Sequence, residues 1–457
     1  MPLRRAVFKD YDIRGIYPTE ISYQDAAKVG NAFVRFLIHR YRIGSPNVFI
    51  GRDIRASSDI LRQSLIEGII AAGGNCFDTG IATSPQLAYS TLTQQAAHGG
   101  IMITASHNSA EYNGFKFALP GIGWIGMQNG MREIMKYALQ KKILAKRNLG
   151  KVALIQGEPD RYIRRLHQIV PRILPLRAAI DAAAGVASLM LPRVLAQYPL
   201  VYKPLFFAPD PSFRVHSPNP LSPEVDALMI EEAENGTYHI SAAFDDDVDR
   251  VAFFDEHGAR IRADIIFAIL VREMLEEHKA KDFVFELTHS RFLAPFVESY
   301  GGRLYTSRVG RTHVPHEMIQ RKAALAGETS THLYHREIFN TDCALLTMLK
   351  VFRAVSRLAK PLSQVVKNIS NSSFTQVTMN VQNPRIVVEK VEKKYASHVI
   401  STLDGISVQF PTYWFNMRMS NTERLIRLTV DADSPSELKA RIQEIKYLIG
   451  ANSAQQS

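Results

Sequence analysis

The chain has 457 residues, a formal net charge of +11 and 46% hydrophobic residues. This length exceeds what one hydrophobic core usually supports, so the sequence predicts about three or four domains. The positive charge would attract anions in general, but the basic residues are scattered and no aromatic-interleaved RNA motif or zinc-finger spacing accompanies them. We therefore expect no nucleic-acid partner.

The compartment is indicated by the cysteines and by the apolar runs. Cys76 and Cys343 are too few and too far apart for a disulfide framework or a thiolate metal site, so we expect reduced core residues. The basic start of the chain is not followed by an apolar run, and no stretch reaches the roughly 18 apolar residues of a membrane-spanning helix. The sequence predicts a cytoplasmic protein with no membrane partner.

Strands and helices alternate over the first two-thirds of the chain. The predicted elements are, in chain order, strand 47–50, a helix after Ser58 that stops at Gly73, strand 75–78, strand 100–103, strand 178–181, helix 187–197, strand 201–207, strand 239–244, strand 251–254, helix 265–274, strand 283–287, helix 292–300, strand 303–307 and helix 343–358. Three regions of about 100 residues with this alternation predict three related α/β domains with mixed sheets.

After about Pro361 the pattern changes to that of an antiparallel sheet, with strands at 377–381, 406–410 and 425–430. A final helix begins after Ser434, which we expect to be its cap, with Pro435 at the first helical position. This predicts a separate C-terminal α+β domain that ends in a frayed tail, residues 451–457. We place the four domains at 1–147, 148–255, 256–365 and 366–457.

Ser106 follows the apolar run 100–103, so its hydroxyl is expected where a buried strand ends. Ligands of α/β folds bind at such strand ends. A serine in this position can also simply cap the next turn. A serine hydrolase is disfavoured because no Gly-x-Ser-x-Gly elbow surrounds Ser106.

Asp245, Asp247 and Asp249 alternate in a short connection between two predicted strands. Carboxylate oxygens are the hard ligands that Mg²⁺ prefers, so the spacing predicts a metal site. Ser106, at a strand end, is placed to carry a phosphoryl group, and such a nucleophile together with a metal indicates phosphoryl transfer. An EF-hand calcium loop is excluded because Arg250 occupies the position that needs glycine and the flanks are strands. A solvated acidic turn remains the alternative.

Two further loops carry polar groups suited to a sugar phosphate. The run 327–332 contains a carboxylate, hydroxyls and an imidazole, which suit vicinal sugar hydroxyls and proton transfer. The run 418–422 contains a guanidinium, two hydroxyls and an amide, which suit a phosphate group. Each loop taken alone could also be a polar turn.

Taken in order, these loops resemble those of the α-D-phosphohexomutase superfamily, most closely its bacterial phosphomannomutase/phosphoglucomutase branch. The resemblance covers nearly all of the chain and lies in the runs 11–15, 51–53, 104–108, 112–116, 245–250, 327–332, 402–405 and 418–422. It implies a heart-shaped arrangement of four domains, with one functional loop from each around a central cleft. It also implies a monomer.

The resemblance implies a mutase that interconverts hexose 1-phosphate and hexose 6-phosphate, of mannose or glucose, through a phosphoserine enzyme and a hexose 1,6-bisphosphate. Glucose or mannose 1,6-bisphosphate would then be the activator, hexose phosphates the partners and Mg²⁺ the cofactor. The resemblance implies that Ser106 is the phosphoserine and a metal ligand, together with Asp245, Asp247 and Asp249. Arg14, Lys116 and Arg250 would neutralise charge around the transferring group, with the catalytic His107 beside it and His332 as candidate acid/base. The implied substrate-binding residues are Tyr11, Glu328, Ser330, Arg418, Ser420, Asn421 and Thr422.

Some positions depart from the pattern of this superfamily. They are Asp246 and Thr331, where glycine is usual, Arg311 in place of a histidine, Thr288 in place of a lysine, and Arg424 where the phosphate loop usually ends in proline or a small residue. These departures leave open a catalytically weakened paralogue that binds sugar phosphates or a partner. A phosphoglucosamine mutase is a nearer alternative.

Overall fold

The computed structural model describes residues 3–419, 425–450 and 454–456. Its helices are α1 (Tyr23–Tyr41), α2 (Ser58–Ala71), α3 (Ser84–Thr93), α4 (Arg132–Ala138), α5 (Glu158–Ile169), α6 (Ala187–Leu195), α7 (Pro223–Asn235), α8 (Ala263–Glu276), α9 (Leu293–Ser299), α10 (His313–Arg321), α11 (Ala344–Val355), α12 (Leu362–Ile369), α13 (Pro384–Lys394) and α14 (Pro435–Ile449).

The strands complete the secondary structure. They are β1 (Ile13–Ile16), β2 (Asn47–Arg52), β3 (Asn75–Ile81), β4 (Gly99–Ile103), β5 (Tyr112–Leu119), β6 (Gly123–Trp124), β7 (Val152–Leu154), β8 (Leu176–Asp181), β9 (Leu200–Leu205), β10 (Ile240–Phe244), β11 (Val251–Phe254), β12 (Arg260–Ile261), β13 (Asp282–Glu286), β14 (Arg303–Ser307), β15 (Leu325–Gly327), β16 (Leu333–His335), β17 (Thr341–Asp342), β18 (Ser373–Asn380), β19 (Val399–Ser401), β20 (Ile406–Gln409), β21 (Tyr413–Met419), β22 (Leu425–Ala432) and β23 (Ala454–Gln456).

The chain forms two compact units, and each is made of two separate segments. The first unit contains residues 1–262 and 330–363, and the second contains residues 263–329 and 364–457.

The first sheet of the first unit has the strand order β1-β5-β4-β2-β3-β7, with β6 paired to β5. Strands β4, β2, β3 and β7 run parallel, whereas β5 is antiparallel to both β4 and β1. Helices α1 and α2 cover it, and Phe33, Leu65 and Phe117 are fully buried in its core. Helix α1 begins at a capping box in which Ser22 and Asp25 satisfy each other's backbone N–H groups. The carboxyl end of β4 leads directly into Ser106.

The second sheet of the first unit has the order β12-β11-β10-β8-β9, with β8, β9 and β10 parallel and β11 and β12 antiparallel. Strands β10 and β11 are entirely buried, so their connection, residues 245–250, starts from a rigid edge. The later segment of this unit adds the antiparallel pair β16–β17 and the buried helix α11, which contacts β10 and β11.

The second unit combines a parallel group with an antiparallel sheet. Strands β14, β13 and β15 pair in parallel. The C-terminal sheet has the order β19-β20-β21-β22-β18-β23 and is antiparallel. Its core contains Phe415, Leu428 and Val430, all fully buried. Helix α14 follows β22, and its cap Ser434 accepts a hydrogen bond from the backbone N–H of Glu437.

These elements confirm the predicted fold class of α/β regions with mixed sheets followed by a C-terminal antiparallel sheet. Cys76 and Cys343 are buried free thiols, as expected. The predicted frayed tail is wrong for Ala454–Gln456, which pairs with β18, while residues 451–453 and 457 lie outside the described residues. Among the described helices, none has both the length and the apolar character needed to cross a membrane.

Candidate active site

Ser106 is held in an unusual backbone conformation directly after β4. Its φ is +50°, in the left-handed region that non-glycine residues rarely occupy. Its backbone N–H donates to Oγ1 of Thr104 at 2.9 Å, and its hydroxyl donates to Oδ2 of Asp245 at 2.9 Å. The surrounding structure therefore fixes the hydroxyl against the first carboxylate of the 245–250 loop.

The three alternating aspartates of this loop converge as the spacing predicts. Asp245, Asp247 and Asp249 are fully buried, and each offers one oxygen within 4.8 Å of the oxygens of the other two. Within the loop, Val248 has the left-handed backbone, with φ +64°. This turn brings the carboxylates of Asp245, Asp247 and Asp249 together.

Basic and hydroxyl groups surround two of these carboxylates. Lys116, on β5, places Nζ 2.5 Å from Oδ2 of Asp247 and 2.6 Å from Oδ2 of Asp249. Ser84, the first residue of α3, donates to the Asp247 carboxylate through its hydroxyl and to the Asp247 carbonyl through its backbone N–H. The amino end of a helix and a buried lysine thus stabilise the middle aspartate.

Arg250 closes the loop on its first residue. Its Nε donates to Oδ2 of Asp245 at 3.0 Å, and its backbone N–H donates to Oδ1 of Asp245 at 3.1 Å. Burial, and then the nearby Asp249 carboxylate, nevertheless raise the pKa of Asp245 to about 7. In Asp247 burial also raises the pKa, but the Lys116 ammonium contributes to a net decrease below the ordinary value. Burial and repulsion between carboxylates thus raise the pKa of Asp245, whereas the contact with Lys116 lowers that of Asp247.

A divalent cation fits this donor set. The three carboxylates supply hard oxygen ligands from one loop, and among the described residues Oδ1 of Asp247 is buried and accepts no hydrogen bond. A bound cation would favour the ionised form of all three carboxylates, opposite to the effect of their burial. The buried acidic triad could therefore bind a metal.

His107 and Arg14 lie next to the same serine loop. The charge of Arg250, and then burial, lower the pKa of His107 well below its usual value, so its imidazole is neutral at neutral pH. Nδ1 of His107 is 3.4 Å from Oγ of Ser106. Arg14 donates from Nη1 to Oδ1 of Asn108 at 2.5 Å. The structure therefore brings both predicted residues to the loop that carries Ser106.

His332 and Ser330 come from the later segment of the first unit and reach the acidic cluster. Nε2 of His332 is 3.4 Å from Oδ1 of Asp249 and 4.0 Å from Oδ2 of Asp342, and its Nδ1 is 2.8 Å from Oγ of Ser330. Between them Thr331 has φ +70°, a backbone conformation that favours glycine, the residue that the resemblance implies for this position. The imidazole is thus placed beside the third candidate metal ligand.

Asp246 is accommodated without the backbone strain that replacement of a glycine can bring, because the left-handed residue of the loop is Val248. Its carboxylate is fully buried, with Oδ2 3.4 Å from Nε of Arg55. Burial, and then the neighbouring Asp53 carboxylate, raise the pKa of Asp246 well above its usual value. The residue faces Arg55, away from the three alternating carboxylates.

The remaining predicted residues are distributed over both units. Tyr11 is half-buried just before β1 in the first unit. In the second unit, Glu328 is buried after β15, and Arg418 lies on β21 opposite Arg427. Ser420, Asn421 and Thr422, together with Arg424, lie outside the described residues.

Two departures in the second unit have local contacts. Thr288 is buried and donates from Oγ1 to Oε1 of Glu286 at 2.7 Å. Arg311 is half-buried shortly before α10. Thr288 is therefore part of a hydrogen-bonded connection after β13 and itself carries no positive charge.

Sequence reasoning missed three residues that organise the first unit's cluster. Ser84 bonds Asp247, Asp342 lies near His332, and Arg55 contacts Asp246. The available signal for Arg55 is its position two residues after Asp53, which ends one of the matched runs. Ser84 and Asp342 carry no comparable local signal, because their partners are distant in sequence.

A serine on a tight loop, facing clustered carboxylates and flanked by lysine and arginine, is an arrangement suited to phosphoryl transfer. Known families agree with this class. Residues 5–140, 160–258 and 262–372 match the phosphoglucomutase/phosphomannomutase alpha/beta/alpha domains I, II and III, respectively.

Full-length relatives extend the match to the whole chain. A phosphomannomutase of Methanocaldococcus jannaschii is 30% identical over 452 residues, covering 97% of each chain. A phosphomannomutase/phosphoglucomutase of Pseudomonas aeruginosa is 27% identical over 445 residues, covering 96% of this chain and 94% of the relative. A phosphoglucomutase/phosphomannomutase family structure from Burkholderia thailandensis has a TM-score of 0.88 at 27% identity, covering 98% of this chain and 99% of that one. The chain belongs to the phosphoglucomutase/phosphomannomutase family, and the predicted superfamily is confirmed.

Proposed function

We propose that the protein is a phosphohexomutase that interconverts hexose 1-phosphate and hexose 6-phosphate of mannose, glucose or both. The observation that carries the proposal is the contact of the Ser106 hydroxyl with Asp245, at 2.9 Å, inside the buried cluster of Asp245, Asp247 and Asp249. The names of the full-length relatives support the same activity.

The proposed reaction has two phosphoryl transfers through a phosphorylated Ser106. In the first, the O6 hydroxyl of a hexose 1-phosphate attacks the phosphorus, the bond to Oγ of Ser106 breaks and a bond to O6 forms. The hydroxyl proton passes to a base, for which His332 is our candidate. The resulting 1,6-bisphosphate then turns over and returns its other phosphate to Ser106, which restores the phosphoenzyme and releases the 6-phosphate.

Such a transfer needs alignment and charge neutralisation more than covalent chemistry from the protein. The strained, doubly hydrogen-bonded position of Ser106 would supply alignment. Arg14, Lys116 and Arg250 would supply positive charge around the group, with His107 beside it. These contacts support the catalytic roles that we assign.

We propose Mg²⁺ as the cofactor, held by Asp245, Asp247 and Asp249 together with the phosphate on Ser106. When bound, the ion would withdraw electron density from the phosphoryl oxygens and neutralise their charge. We also propose that a glucose or mannose 1,6-bisphosphate activates the enzyme by phosphorylating Ser106. Tyr11, Glu328 and Ser330 are proposed sugar contacts, and Arg418, Ser420, Asn421 and Thr422 proposed contacts of the phosphate that is not reacting.

The organisation proposed from the sequence is a cytoplasmic monomer with domains at 1–147, 148–255, 256–365 and 366–457, one functional loop in each. The three matched family domains lie within the first three of these regions, apart from a few residues at the end of the third. Sedimentation equilibrium of the purified chain tests the monomer.

The activity is tested by incubating the protein with Mg²⁺, a trace of glucose 1,6-bisphosphate and either mannose 1-phosphate or glucose 1-phosphate. We expect formation of the 6-phosphate and its loss, by about 10⁴-fold or more, in Ser106→Ala, which has no acceptor for the phosphoryl group. A parallel reaction with glucosamine 1-phosphate distinguishes a phosphoglucosamine mutase.

Intact mass gives a second readout that does not depend on turnover. After incubation with the bisphosphate, the wild-type chain should gain the mass of one phosphoryl group and Ser106→Ala should not. Phosphorylation without turnover would indicate the catalytically weakened paralogue. Absence of both would contradict the proposed function.

A further inference from the structure

Asp246 is a fully buried acidic residue that the proposed reaction does not use. It lies between two candidate metal ligands, yet its carboxylate faces Arg55, with Oδ2 3.4 Å from Nε. Its main chain is also fixed, because Val186 donates a backbone hydrogen bond to its carbonyl and a Cβ at Gly185 would lie 2.8 Å from its Cα. The backbone that carries this side chain is therefore held in place.

The two Nη atoms of Arg55 donate four hydrogen bonds to the loop that carries Ser106. Its Nη2 donates to the carbonyls of Ser106 at 2.6 Å and Asn108 at 2.7 Å. Its Nη1 donates to the carbonyls of Ser109 at 2.6 Å and Tyr112 at 3.2 Å. With Nε facing carboxylates, all five donors of the guanidinium are directed at partners.

The guanidinium is fully buried, and a buried charge is stable only when it is paired. Asp53 is one partner, with Oδ2 3.1 Å from Nε of Arg55. Asp53 also accepts from the backbone N–H of Arg55 and from the Ser58 hydroxyl, so its charge is shared among several donors. Asp246 brings a second acidic side chain close to Nε from the 245–250 loop, at 3.4 Å.

We propose that Asp246 is a positioning residue that ties the 245–250 loop to the Ser106 loop through Arg55. This inference rests on the proposed function for its kinetic consequence, though its structural consequence does not. One end of the link is the loop that carries Asp245, and the other is the main chain at Ser106. The link therefore sets the distance between the phosphoryl-carrying hydroxyl and the candidate metal ligands.

The structural consequence is tested by hydrogen exchange with mass spectrometry. In Asp246→Ala we expect the amides of residues 105–112 to exchange about tenfold faster than in the wild type, because the guanidinium that holds them has lost a neighbouring polar group. Asp246→Asn keeps the shape of the side chain and an oxygen in the position that lies 3.4 Å from Nε, so its exchange should lie close to that of the wild type. The control is Glu158→Gln, which removes another buried carboxylate of the first unit, one whose partners are Arg161, Ser90 and Gln94.

The kinetic consequence is a fall in kcat of about tenfold in Asp246→Ala with KM within twofold, since misplacing the serine affects transfer and leaves sugar binding unchanged. Asp246→Asn should recover most of the loss. Unchanged exchange in residues 105–112 of Asp246→Ala, or faster exchange that Glu158→Gln matches, would overturn the inference. An inactive wild type would contradict the proposed function but not the positioning role of Asp246, because the exchange measurement tests that role without activity.

Discussion

Lys116 neutralises two of the clustered carboxylates at once, at 2.5 and 2.6 Å, while itself buried. A cation that binds the cluster must share these oxygens with the ammonium. The residue therefore stabilises the metal-free cluster and competes with the metal for its ligands.

Lys116→Met should destabilise the metal-free protein by about 3 kcal/mol, because it leaves buried carboxylates unpaired. The same change should make Mg²⁺ raise the melting temperature more than it does in the wild type, since the competing ammonium is gone. Thermal unfolding over a Mg²⁺ titration measures both effects. Lys151→Met, at an exposed lysine of the same unit, is the control. A smaller response to Mg²⁺ than in the wild type would contradict this role.

Thr331 shows how a departure from the family pattern can cost stability without removing a chemical group. Its φ of +70° disfavours any residue with a Cβ, and a β-branched residue most of all. We expect Thr331→Gly to be more stable than Thr331→Ala by about 1 kcal/mol, the reverse of their order in a helix. Urea unfolding of the two variants measures the difference. Both variants lack the threonine hydroxyl and methyl groups, so the comparison isolates the effect of the Cβ atom. Equal stability would show that the backbone relaxes at this position.

Site residues could be predicted where the residues that act together lie within a short stretch of sequence. Asp245, Asp247 and Asp249 alternate, and Ser106 follows an apolar strand, so their convergence follows from local spacing. Arg55 and Ser84 could not be assigned roles, because an isolated arginine or serine has no meaning until the fold brings a partner to it. The left-handed backbone of Thr331 could not be predicted from threonine itself either, because this residue type rarely adopts it.

At the scale of elements, helix α14 follows directly from its sequence. Ser434, Pro435 and Glu437 predict its start, and the hydroxyl of Ser434 accepts from the N–H of Glu437 at 3.2 Å. Several other helices, among them α1 and α3, were not predicted. Helix α3 is buried along most of its length, so it lacks the amphipathic contrast on which such predictions depend.

Ser434→Ala should lower the free energy of unfolding of the second unit by about 1 kcal/mol, because a backbone N–H at the helix start loses its acceptor. Chemical denaturation followed by far-UV circular dichroism measures the change. Lys439→Ala, at an exposed position within the same helix, should leave stability nearly unchanged. A loss in the control equal to that in Ser434→Ala would show that the cap is not the cause.

At the scale of the whole molecule, stability depends on pH through partly buried ion pairs. Lys350 donates to Glu337 at 2.8 Å in the first unit. Burial raises the pKa of Glu337, but Lys350 and then His335 outweigh it and lower the pKa to about 2, from an ordinary value of 4.5. Because the folded value is the lower one, the pair stabilises the folded state above about pH 4.5, and this stabilisation is lost as the pH falls towards 2.

Glu337→Gln should therefore destabilise the protein by about 1 kcal/mol near neutral pH, a value reduced by the partial exposure of the pair, and by less at about pH 3. Urea unfolding midpoints at the two pH values measure this difference. Asp160→Asn, which breaks an exposed pair with Arg193, should have a smaller effect at neutral pH. An effect of Glu337→Gln that grows on acidification would contradict the sign.

The alternation of strands and helices, and the change to an antiparallel sheet, could be read from the sequence because each depends on local periodicity. The division of the chain into two compact units could not, because it depends on contacts between distant segments. Residues 330–363 belong with residues 1–262, although residues 263–329 separate them.

This discontinuity affects the protein while it is being made. A ribosome delivers Asp249 well before His332, and the intervening stretch belongs to the other unit. The nascent first unit must therefore wait, with its acidic cluster lacking the imidazole and the buried helix α11, until synthesis has passed residue 363. Translation pauses within residues 263–329 would prolong the exposure of this incomplete core to chaperones and proteases.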